Sequence, residues 1–87
     1  MAYQLEFTPA AIRDLKRLPK SLQTEVKSAI NSLAYDQRPH GYQKLAGPDE
    51  LYRIRCGEYR VLYQILDDAL IVVIVRARHR REVYKHL

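Results

Sequence analysis

The sequence predicts a small α+β domain: an N-terminal strand, a helical hairpin, then an antiparallel three-stranded meander, forming one sheet with the helices packed on one face. Three observations predict it. Tyr3, Leu5 and Phe7 alternate with Gln4 and Glu6, the period of a half-buried strand. From Thr8 to Leu33 apolar residues recur at helical spacing, interrupted only at Pro19-Lys20. After residue 50, three runs rich in Tyr, Ile, Val and Leu are separated by turn residues. The 87 residues leave room for one core, so residues 1–87 are read as one domain.

Each element has its own local signal. Thr8 is placed to cap a first helix, with Pro9 at the first helical position, where a missing N–H is harmless. Ile12, Leu15 and Leu18 give that helix an apolar stripe. Ser21 is the expected cap of a second helix, with the stripe Leu22, Val26, Ala29, Ile30 and Leu33. Asp36, Pro39, Gly41, Gly47, Pro48 and Asp49 make residues 35–50 loop chemistry. Leu51–Cys56, Tyr59–Leu66 and Ala69–Ala77 are the expected strands, joined at Gly57-Glu58 and Asp67-Asp68. Arg80–Leu87 is read as a short terminal helix.

Composition narrows the function. The net charge is +5, of which residues 1–51 carry +1 and residues 52–87 carry +4. Seven of the eight cations after residue 51 are arginines, whose planar fork suits phosphate better than lysine's point charge does. A polyanion partner is favoured. The single Cys56 cannot form an internal disulfide, and no second cysteine offers a zinc site. The longest apolar run, Ala69–Val75, is too short to span a bilayer, and no apolar signal core opens the chain. A cytoplasmic protein without membrane attachment is the expectation.

A two-residue turn at Gly57-Glu58 sets Arg55 opposite Arg60 and Arg53 opposite Leu62. Residues directly opposed, or two apart on one strand, share a face. Arg53, Arg55 and Arg60 are therefore expected on one side of a hairpin, with Tyr52, Ile54, Val61, Tyr63 and Ile65 on the other. Opposed like charges destabilise a sheet, so stability alone gives no reason for this cluster; a phosphate ligand does. The following strand depends on its turn. A two-residue turn puts Arg76 and Arg78 under the helices, whereas a three-residue loop including Ala69 puts them on the arginine face. The second register is preferred, because two arginines beneath helices would be costly to desolvate.

Lys44-Leu45, the run Leu51-Tyr52-Arg53-Ile54-Arg55-Cys56-Gly57-Glu58-Tyr59-Arg60-Val61-Leu62-Tyr63-Gln64 and the run Arg78-His79-Arg80-Arg81-Glu82-Val83-Tyr84 strongly resemble the RelE toxins of the RelE/ParE superfamily. The N-terminal strand and helix pair, with Leu18-Pro19, extend the resemblance over nearly the whole chain. It implies a type II toxin, a ribosome-dependent endoribonuclease that cleaves mRNA in the ribosomal A site without metal or cofactor. Attack of a 2′-hydroxyl on the adjacent phosphate would inhibit translation. The family's functional positions fall on Arg53, Arg55, Arg60, Arg78 and Tyr84 as catalytic residues, with Lys44, His79, Arg80 and Arg81 as RNA-binding residues. The implied partners are a RelB-like antitoxin and, through the toxin–antitoxin complex, operator DNA. Relatives often carry lysine where this chain has Arg53 and Arg55. An arginine effectively cannot serve as a base, which leaves Tyr84 or His79 as proton acceptor. Two other functions fit the same pattern: a ParE-like gyrase inhibitor without RNase activity, and a non-catalytic nucleic-acid-binding module acting with its antitoxin on operator DNA.

Overall fold

A computed structural model describes residues 2–47 and 50–81. Strand β1 (Gln4–Phe7) leads through Thr8 into helix α1 (Pro9–Arg17), and helix α2 (Lys20–Ser32) follows. Strands β2 (Gln43–Lys44), β3 (Tyr52–Cys56), β4 (Tyr59–Leu66) and β5 (Ile71–His79) complete a five-stranded sheet in the order β1-β5-β4-β3-β2. The meander is thus the centre of a larger mixed sheet. Strand β1 runs parallel to β5, Gln4 opposite Ile71 through Phe7 opposite Ile74. The two-residue β2 pairs antiparallel with β3, inside the segment expected to be loop throughout. Alternation marks a strand but carries no information about its partner, and two residues are too few to alternate visibly. Of the expected terminal helix, Arg80 and Arg81 lie in a turn and the remainder falls outside the described residues.

The helix signals are partly corrected. The Thr8 hydroxyl accepts from the Ala11 amide at 3.0 Å and donates to the Val75 carbonyl at 2.8 Å, so one side chain caps α1 and ties it to β5. Pro19, not Ser21, occupies the cap position of α2 and makes no side-chain bond there. The buried face of α1 is Ala11, Asp14 and Leu18, with Leu15 half-buried, while Ile12 is 44% exposed. The helix has turned so that the smallest apolar residue meets the sheet and a carboxylate reaches the edge of β5.

The core lies between the helices and one face of the sheet. Val26, Ile30 and Leu33 pack with Ile54, Cys56, Val61, Tyr63, Val72, Ile74 and Ala77. The buried Tyr63 hydroxyl donates to the Gln37 carbonyl at 2.9 Å, and burial pushes its phenol well above the ordinary tyrosine value. Burial, with Glu25 adding to it, likewise raises the Cys56 thiol.

Candidate functional site

Gly57, at φ 58°, supplies the left-handed conformation that lets two residues join β3 to β4. That turn fixes Arg53 opposite Leu62 and Arg55 opposite Arg60, as the two-residue spacing predicts. The register of β5 is reached differently. Its loop is four residues long, Asp67 to Leu70, with Leu66 opposite Ile71. A regular ladder from there would set Arg76 against Val61, beneath the helices. Between the Tyr63–Ile74 and Leu62–Arg76 pairs, Val75 is one residue too many, and this bulge returns Arg76 and Arg78 to the arginine face.

Two cross-strand rows result on the face away from the helices. One runs Gln43, Arg53, Leu62, Arg76, and the other runs Arg55, Arg60, Arg78. Strands in a sheet lie about 4.8 Å apart, so the second row gathers three guanidinium-bearing residues across roughly 10 Å. Arg55 is exposed, Arg60 and Arg78 are half-buried, and Arg53 is only 7% exposed. Among the described residues no carboxylate lies within ion-pair distance of Arg53, Arg55 or Arg60, and the Arg53 Nε–H has no hydrogen-bond partner.

One acidic residue invisible to local pattern reading borders the row. Asp14, 5% exposed on α1, accepts from Arg76 Nε at 2.9 Å, Arg76 Nη2 at 3.1 Å and the Ala77 amide at 3.1 Å. Arg78 Nε stands 3.7 Å from its other oxygen. Only its position out of phase with the apolar stripe of α1 hints at such a role.

The other candidate residues are dispersed. Lys44 is exposed and, opposite Tyr52, lies by register on the opposite face from Arg53 and Arg55. His79 is opposite Tyr59 and packs edge-on against its ring at 5.5 Å, again away from the arginine face. Its Nδ1 accepts from the Arg81 amide at 3.2 Å, so the neutral ring carries its proton on Nε2. Arg80 pairs with Glu58 across the hairpin turn at 2.8 Å, with both side chains largely exposed, and its amide donates to the Glu58 carbonyl. Arg81 is exposed. Tyr84 lies outside the described residues. Among the described residues no group of three His, Cys, Asp or Glu side chains could hold a metal, and no helix is long and apolar enough to cross a membrane.

The family model of the ParE toxin of the type II toxin–antitoxin system parDE matches residues 5–84. Toxin RelG of Mycobacterium tuberculosis is 37% identical over 89 residues, covering 98% of this chain and 99% of that protein. The mRNA interferase toxin RelE of Escherichia coli is 30% identical over 88 residues, covering 97% and 92%. Among solved structures, the toxin–antitoxin complex RelBE2 of M. tuberculosis contains a chain that superposes with a TM-score of 0.78 at 33% identity, covering 92% of this chain and all of that one. A chain of the archaeal RelE–RelB complex of Pyrococcus horikoshii superposes with a TM-score of 0.81 at 26% identity, covering 95% and 100%.

Proposed function

The chain belongs to the ParE toxin family of type II toxin–antitoxin systems, as a RelE-like toxin, and on that premise we propose that it is an endoribonuclease acting on mRNA in the ribosomal A site. The observation that carries the reading is the row Arg55, Arg60, Arg78, in which Arg55 and Arg60 directly oppose each other with no carboxylate in ion-pair distance of either among the described residues. In the proposed reaction the 2′-oxygen bonds to phosphorus while the bond to the 5′-oxygen breaks. A proton leaves the 2′-hydroxyl and another joins the departing oxygen, giving a 2′,3′-cyclic phosphate and a 5′-hydroxyl. Charge gathers on the non-bridging oxygens, where fixed guanidinium donors act most strongly.

Arginine cannot take the 2′-proton. His79 is on the far face with Nδ1 engaged, which favours Tyr84 over it as proton acceptor or as the residue that orients the hydroxyl by stacking on a base. A tyrosine, ordinarily titrating near about 10, needs neighbouring cations to act at neutral pH. The RelB–RelE complexes among its relatives support a RelB-like antitoxin partner; in this reading the antitoxin would block the arginine face, and the pair would act on operator DNA.

The test is translation of a defined message with purified protein, mapping 5′ ends by primer extension. Cuts inside codons only when ribosomes are present are expected, and Tyr84→Phe cutting as fast as wild type would exclude proton transfer by Tyr84. The ParE description of the matching family favours one second reading, gyrase inhibition, which predicts gyrase arrest and intact RNA in the same assay.

A further inference from the structure

Strand β1 covers the outer edge of β5 only as far as Ile74, opposite Phe7. The next stretch of that edge carries the Val75 bulge and then Arg76, Ala77 and Arg78, and α1 packs against it instead. Two side chains pin it. The Thr8 hydroxyl at the start of α1 donates to the Val75 carbonyl at 2.8 Å, and the Asp14 carboxylate accepts from the Ala77 amide at 3.1 Å. The irregular part of the strand is thus held on both sides of Arg76. This bulge is what returns Arg78 to the face of Arg60 and Arg55, and Ala77 is its neighbour in the chain.

Asp14 also reaches the arginine side chains. It takes two hydrogen bonds from Arg76, Nε to Oδ2 at 2.9 Å and Nη2 to Oδ1 at 3.1 Å, which together fix the plane of the carboxylate. So fixed, its Oδ1 stands 3.7 Å from Arg78 Nε. That is close enough to attract the guanidinium and too far to take a hydrogen bond from that nitrogen.

Stability alone does not call for an acid at this place. A buried ion pair is often no more stabilising than apolar residues of the same volume, and a neutral acceptor would satisfy the Ala77 amide. A neutral side chain does not hold two guanidinium groups at once. An arginine on an open sheet face has many rotamers, and a donor reaches its full worth in a transition state only when it is held in place beforehand. The geometry points to Asp14 as a positioning residue of the proposed cleavage. Through the Ala77 amide and through Arg78 Nε it keeps Arg78 in the row with Arg60 and Arg55, where charge gathers on the phosphate. Asp14 is buried and engaged by these groups, so it acts through Arg78 and not on the RNA. The inference rests on the RNA-cleaving reading and adds helix α1 to the machinery of that same site.

The test is a double-mutant cycle on ribosomal cleavage with Asp14→Asn and Arg78→Gln. Asp14→Asn keeps an acceptor for the Ala77 amide and loses the charge that faces the two arginines. Its single-turnover rate at saturating ribosomes should fall about 10²-fold, the scale of a reacting group displaced by about 1 Å, with the half-saturating ribosome concentration unchanged. In the Arg78→Gln background the same change should cost nothing further, because the group it acts through is gone. A wild-type rate for Asp14→Asn, a loss confined to the half-saturating concentration, or an equal fold-loss in both backgrounds (the mark of a merely less stable fold) would each overturn the inference. A second measurement needs no cleavage: ¹⁵N relaxation of the Arg78 Nε–H should show it ordered in wild type and mobile in Asp14→Asn, and equal order in the two would overturn the inference as well. If Asp14→Asn does not fold, Asp14→Glu, which keeps the charge but moves it, takes its place in both measurements with the same outcomes. Wild type that makes no cuts would sink the nuclease reading, and the relaxation measurement would then decide alone whether Asp14 holds Arg78.

Discussion

Asp14 and Arg76, sixty-two residues apart in the chain, face each other through two hydrogen bonds of 2.9 and 3.1 Å, one to each carboxylate oxygen. The Ala77 amide shares the same acceptor, so one α1 side chain both pairs an arginine and ends the hydrogen-bond ladder of β5 where β1 has stopped. Removing one partner of a buried pair strands the other. Asp14→Ala is expected to destabilise by about 3–5 kcal/mol, and Asp14→Asn, which keeps one acceptor, by less. Urea denaturation measures both, and an unchanged midpoint for Asp14→Ala would show that the pair holds nothing in place.

Arg55 and Arg60 should behave in the opposite way. Each is expected to lower cleavage about 10²–10³-fold when changed to glutamine, the scale of one transition-state donor. Stability should hold or rise by about 0.2–1 kcal/mol as the opposed charges are relieved. Ribosomal cleavage rates set beside denaturation midpoints decide it, and parallel losses of both would mark these arginines as structural.

Thr8 joins α1 to the strand that bulges at Val75. Thr8→Ser keeps the hydroxyl and should be nearly silent. Thr8→Val loses both bonds and should cost about 1–2 kcal/mol, read as a lower melting temperature.

Asp67 provides a pH-dependent contact at the other end of the sheet. The Tyr3 hydroxyl donates to it at 2.7 Å and Arg38 pairs with it at 3.0 Å, and the two, Tyr3 first, hold its carboxyl below the ordinary aspartate range. A carboxyl depressed on folding stabilises the protein above its unfolded value, and that contribution is lost as pH falls through the folded one. Carboxyl NMR titration should place Asp67 below an ordinary aspartate, and Tyr3→Phe should move it upward. A Tyr3→Phe titration identical to wild type would remove the hydrogen bond as the cause.

The β3–β4 hairpin was legible in the chain because its geometry is local. A glycine that accepts positive φ and two strands of matching length fix Arg55 against Arg60 without reference to anything distant. Desolvation cost predicts the face that Arg76 and Arg78 occupy, but the three-residue loop the sequence suggests for reaching it is absent. A four-residue loop and the bulge at Val75 together reach the same face, and neither has a signature distinct from an ordinary strand run. The rotation of α1 that exposes Ile12 and buries Asp14 follows from what β5 offers across the interface, which helical period cannot report.

The helix–helix–strand order, the sign of the charge and the arginine hairpin can be read from the chain alone, because period, turn chemistry and composition act over a few residues. The parallel pairing of β1 with β5 and the closure of the arginine row by Asp14 emerge only from the folded molecule. Those are contacts between distant segments, and their energies arise when the chain has already brought the segments together.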